Sequence, residues 1–242
     1  MTDAMDRSRA INLPPVVIWL AAAFIGVHLV RQFLDRDQDE WLLLAFAFIP
    51  ERYGPLGDLL PGGLAARFWS PVTYAFLHGN FMHLLVNLIW MASFGGALAH
   101  RFAATRFLLL ALISAAAGAA AHYAVHATDR GIVIGASGAV SGMMAATARF
   151  AFSPGGPLAG GGTAASYRVP AESILAALRN RRALAFILIW FAVNLLFGLT
   201  GGLGASVSEA IAWEAHIGGF LAGLLCFPLL DPASGGPADR LA

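Results

Sequence analysis

Three groups of residues carry side chains suited to bond-making chemistry, and all three lie within apolar stretches. The first is Gly135-Ala136-Ser137-Gly138. A serine among small residues at a helix start exposes its hydroxyl beside backbone N–H groups that have no intrahelical partner. Those N–H groups can stabilise a developing oxyanion. Ser141, one turn on, is a rival nucleophile and ranks second, because it lies deeper and lacks a preceding glycine. The elbow of soluble hydrolases, G-x-S-x-G, is not met, since position 139 is Ala. Taken alone the tetrapeptide decides nothing, because Gly and Ser are common packing residues in apolar helices.

The second group is the run from Ala215 through His216 to Gly223. An uncharged imidazole can accept a proton from a serine. Gly219 and Gly223 form a small-xxx-small face that lets another helix come close. If that partner is the Gly-rich helix of Ser137, His216 comes within reach of the hydroxyl. The third group is His78-Gly79-Asn80-Phe81-Met82-His83-Leu84-Leu85-Val86-Asn87. His83 and Asn87, four apart, share one helix face and both can donate hydrogen bonds. His78 falls about 140° away round that helix, which disfavours a metal pair with His83. His122 and His126 read as a polar helix end at the outer interface. Glu214 lies about 200° from His216 and is expected to face a wet cavity or the headgroups, so a Ser-His dyad without a carboxylate is the simpler proposal. No cofactor or metal is expected.

These groups need elements that survive in lipid. Of 242 residues, 58% are hydrophobic and only 12% charged, and the mean hydropathy is +0.70. A soluble domain carries about 25% charged residues. The formal net charge of +1 implies no nucleic-acid partner, and the single Cys226 can form no internal disulfide. Six stretches are apolar enough to span: roughly 14–34, 77–99, 105–126, 135–152, 182–199 and 206–230. The fourth is short and Gly-rich, fit for burial among the others. The expected organisation is a short N-terminus (1–13), a membrane domain (14–230) and a C-terminal tail (231–242). Residues 35–76 read as an interfacial first loop, partly helical from Trp41 to Ile49, and 153–181 as a flexible polar linker. All 15 basic residues are Arg. Ten fall on the N-terminal side of the membrane and five on the other, which places both termini in the cytoplasm. Ser137 and His216 then share a depth below the outer surface.

In that order, HGNFMHLLVN, Gly95-Gly96, GASG and AHIGGFLAG resemble the rhomboid family of intramembrane serine proteases, from about Trp69 to Leu230. The resemblance implies an all-α membrane protein with a six-helix core whose site opens away from the cytoplasm in bacteria, here at an inner membrane. It implies Ser137 as nucleophile, His216 as base, and His83, Asn87 and the Ser137 backbone N–H as oxyanion hole. His78 would line a hydrated cavity beside Ser141, and the partners would be transmembrane protein substrates. A client-binding relative without catalysis is the alternative. Three departures stand out. Ala99 occupies a position where the family often has Glu, so the first loop must be held differently. Ser141 replaces an aromatic that would stack on the histidine. Ser70 follows Trp69 where some members have Arg.

Overall fold

Around α7 (Ser137–Ala151) every residue from Gly138 onward is buried, so the fourth apolar stretch is enclosed by its neighbours as its shortness requires. The computed structural model describes residues 13–55, 57–161, 163–200 and 212–232. The expected N-terminus up to residue 12, the start of the sixth stretch (206–211) and the tail from 233 lie outside the described residues.

Helix α1 (Pro15–Arg31) starts with proline at its first position, where an N–H would have no partner. Helix α2 (Arg36–Phe46) begins earlier than the apolar run from Trp41 indicated. Asp35 and Gln38 form a capping box that starts it in a polar segment. Arg31 joins the two helices through Asp39 (2.7 Å) and also donates to the His78 carbonyl at 2.7 Å. After short 3-10 turns comes α3 (Ala66–Thr73). Helix α4 (Phe81–Trp90) is capped by the Asn80 side chain and runs through a π turn, Met91–Gly95, into α5 (Gly96–Arg101). Helices α6 (Ala104–Val125), α8 (Ile174–Arg179), α9 (Arg181–Thr200) and α10 (Trp213–Leu230) complete the described chain. There is no strand among the described residues, only a single antiparallel bridge between Phe48 and Val133.

The segments Phe81–Arg101, Ala104–Val125 and Trp213–Leu230 are long and apolar enough to cross a bilayer. Trp19, Phe33, Leu188, Ile189, Leu225 and Leu229 point outward and exposed, while Ser114, Ser141, Thr147 and Asn194 are buried. Apolar outside and polar within is the arrangement of an all-α membrane bundle, because lipid offers the inner groups no hydrogen bonds.

Glycine sets the spacing of the three central helices. A Cβ on Gly219 would stand 2.0 Å from the Gly138 carbonyl oxygen, and one on Gly223 would stand 2.1 Å from that of Gly142. The small-residue face expected on the last helix therefore does meet α7. Gly118 of α6 faces the Ala215 carbonyl in the same way, at 2.7 Å.

The first loop is held by donors to carbonyls in place of the missing Glu. Arg52, fully buried, donates to Pro61 and Leu44; Arg67 donates to Arg52 (2.8 Å) and Gly54 (3.1 Å). Trp69 Nε1 donates to Ala45 at 2.9 Å and Thr73 Oγ1 to Phe46 at 2.8 Å. Burial lowers the pKa of the Arg52 guanidinium from its ordinary value.

The connection 153–181, expected as a flexible polar linker, is tethered to the bundle at several points. Arg149 Nε donates to the Glu172 carbonyl at 2.7 Å, and Glu172 N–H returns to the Arg149 carbonyl at 2.8 Å. Arg101 donates to the carbonyls of Tyr167 (2.9 Å) and Val169 (2.8 Å). Its carbonyls face inward because the buried guanidiniums of Arg101 on α5 and Arg149 on α7 need acceptors.

Candidate active site

Gly135 turns the chain into α7 with φ of +118°, a conformation that a side chain resists, and its N–H donates to the Tyr74 carbonyl at 2.9 Å. A Cβ there would stand 2.6 Å from His83 Nε2, so the imidazole of His83 lies directly on this glycine. The turn delivers Ser137 to the first position of α7, half-buried, with the first N–H groups of the helix left without intrahelical partners. Ala215 and Gly219, on either side of His216, pack against α6 and α7. That close packing brings His216 Nε2 to 2.7 Å from Ser137 Oγ. The two predicted partners, 79 residues apart in sequence, are in hydrogen-bond contact.

The other imidazole nitrogen, Nδ1, is hydrogen-bonded to Oδ1 of Asn194 on α9. An amide oxygen only accepts, so Nδ1 carries the proton and Nε2 is left as the acceptor for the serine hydroxyl. Asn194 is itself held by donation from Nδ2 to the Trp190 carbonyl at 2.8 Å, and it is buried. Sequence reasoning missed this residue. The signal was present: an amide in the middle of Trp190-Phe191-Ala192-Val193-Asn194-Leu195 is costly in lipid unless it faces a partner inside the bundle. Asn194 also fills the role left open by Ser141, the orientation of the imidazole.

The remaining predicted residues divide. His83 sits beside the Gly135 turn, with its backbone N–H bonded to the Asn80 cap at 2.8 Å. Asn87 is buried on the same helix, and its Nδ2, which carries two N–H donors, donates to the His83 carbonyl at 2.9 Å. His78, expected to line a hydrated cavity, is enclosed among the helices. It is 0% exposed and packs against Phe24 of α1 (5.6 Å between rings) and His83 (5.2 Å). Arg31 draws its backbone under α1, which closes over the ring. Ser141 is likewise buried, and the hydroxyl in contact with the imidazole is that of Ser137. Glu214, expected toward a wet cavity or the headgroups, lies elsewhere. It is buried against His122 of α6 (3.4 Å) and His126, which caps that helix (2.8 Å). His28 of α1 is also buried.

A cleft lined by Phe152, Pro154, Glu172, Asn180 and Arg182 lies at the far end of α7. That is about 22 Å along the helix from Ser137, too distant to share its chemistry. Compared with known proteins, residues 65–231 match the family model of the rhomboid domain. The matched region runs from the start of α3 to the end of α10 and takes in every residue of the site described above.

Proposed function

The chain belongs to the rhomboid family, and on that footing we propose that it is an intramembrane serine endopeptidase acting on transmembrane proteins. The observation that carries this reading is the 2.7 Å contact between Ser137 Oγ and His216 Nε2, with Asn194 holding the opposite nitrogen in the protonated form. A family member that only binds clients has no need of a hydroxyl paired to an imidazole in its accepting tautomer.

The reaction is amide hydrolysis in two steps. A substrate helix enters from the side and unwinds, so that its scissile carbonyl meets Ser137. The oxygen of Ser137 bonds to the carbonyl carbon while His216 Nε2 takes the hydroxyl proton. The oxyanion is received by the backbone N–H of Ser137 and by His83, with Asn87 turning in as a further donor. Collapse breaks the C–N bond, and His216 returns the proton to the leaving amine. Water, activated by the same imidazole, then releases the acyl group from Ser137. Asn194 keeps its bond to Nδ1 throughout and stabilises the imidazolium as it forms.

The arginine distribution supports a cytoplasmic position for both termini and a site facing the outer side of a bacterial inner membrane. Arg101, Arg106, Arg149, Arg168, Arg179, Arg181 and Arg182 all lie toward the end of the bundle away from Ser137.

The test is cleavage of a transmembrane reporter by the purified protein in liposomes, together with labelling by a fluorophosphonate. Wild type should cleave and label, and Ser137→Ala and His216→Ala should do neither while remaining folded. Cleavage that survives both substitutions, or a folded wild type that neither cleaves nor labels, overturns the reading; the second result would leave the client-binding alternative.

A further inference from the structure

We propose that His122, His126 and Glu214 form a binding site for a divalent transition-metal ion of the zinc type, joining α6 to the first turn of α10. His122 in the last turn of α6 and His126, the residue that caps that helix, bring their rings together, 4.7 Å apart between centroids. Glu214 reaches the same point from the neighbouring helix. One ligand atom from each of the three residues can be chosen so that all lie within 4.8 Å of one another. Donors bound to one zinc at bonds of about 2.0–2.2 Å stand about 3.3 Å apart in a tetrahedral set. The His122 Nδ1 to Glu214 Oε2 separation of 3.4 Å meets that spacing and is long for a hydrogen bond.

Burial favours the same conclusion. The side chains of His122 and Glu214 are 10% and 8% exposed, so a carboxylate is held in a dry place between two imidazoles. A cation there would offset the cost of its desolvation. The His126 side chain is 38% exposed, which opens one side of the cluster to an incoming ion and to a water as fourth ligand. Two imidazoles and one carboxylate are a donor set suited to zinc, nickel or iron rather than to magnesium or calcium. The cluster takes no part in the proteolysis proposed above, since the serine contacts His216, and the binding can be measured without it.

The experiment uses untagged Ser137→Ala protein in detergent, stripped with a chelator and titrated with Zn²⁺ and with Co²⁺. About one ion per chain should bind, and Co²⁺ should give visible bands of four- or five-coordinate intensity. His126→Asn, at the most exposed ligand, should fold normally by circular dichroism and lose at least about tenfold in affinity. Zinc should raise the unfolding temperature of the parent and leave that of His126→Asn unmoved. Absence of the Co²⁺ bands, or binding by His126→Asn and Glu214→Gln as tight as the parent's, would overturn the site. The first outcome would mean a purely hydrogen-bonded cluster, the second a metal held elsewhere. Both leave the reading of Ser137 and His216 untouched.

Discussion

Ser137 and His216 are reactive types in any setting, and what distinguishes them here is the amide behind the imidazole. Asn194 accepts from Nδ1 and thereby selects the tautomer whose Nε2 faces the hydroxyl. Removing it leaves the ring free to turn, and a displacement of about 1 Å at a reacting pair costs about 100-fold in rate. Asn194→Ala should therefore lower kcat by about that factor with KM for a transmembrane reporter unchanged, and fluorophosphonate labelling should slow in parallel. A kcat equal to wild type would remove Asn194 from the mechanism. A purely structural role would show instead as lost folded protein with a normal turnover per active site.

At the scale of elements, the contact between serine and histidine depends on how closely α7 and α10 approach. The Gly219 and Gly223 positions touch the carbonyls of Gly138 and Gly142, so any side chain there must push the helices apart. Gly219→Val should cost about 1–3 kcal/mol of stability and abolish cleavage, because α10 carries His216 three residues earlier. Thermal unfolding in detergent and reporter cleavage measure both effects. Gly26 of α1 supplies the comparison: nothing lies within 4 Å of a Cβ built there. Gly26→Ala should leave cleavage as it is and raise stability slightly through helix propensity. Equal losses from the two changes would show that backbone flexibility, not helix spacing, is the cause.

For the molecule as a whole, the end of the bundle opposite the site is locked by charge. Arg101 at the end of α5 meets Asp231, just past α10, through two bonds of 2.8 Å, with both side chains almost fully enclosed. The guanidinium also lies 4.7 Å from the Phe150 ring and 5.6 Å from that of Phe227. Asp231→Asn would leave a buried cation without its counter-charge and should destabilise the protein by about 3–5 kcal/mol. The double change Arg101→Met with Asp231→Asn should recover part of that loss. Unfolding in a denaturing detergent series reads both, and a double variant weaker than the single would contradict the argument.

Composition alone determined that this chain lives in lipid and is helical, because a bilayer leaves the backbone few other ways to satisfy its hydrogen bonds. The order of the motifs pointed to Ser137 and His216, and the glycines at 219 and 223 indicated which helices approach. Only the tertiary structure decided the second neighbours of each group. Asn194 behind the imidazole, Glu214 between two histidines, His78 sealed under α1 and the tethering of 153–181 all depend on residues distant in sequence. Helical periodicity gives the direction in which a side chain leaves its own helix. What it meets there is set by the rotation and depth of other helices, which no local pattern contains.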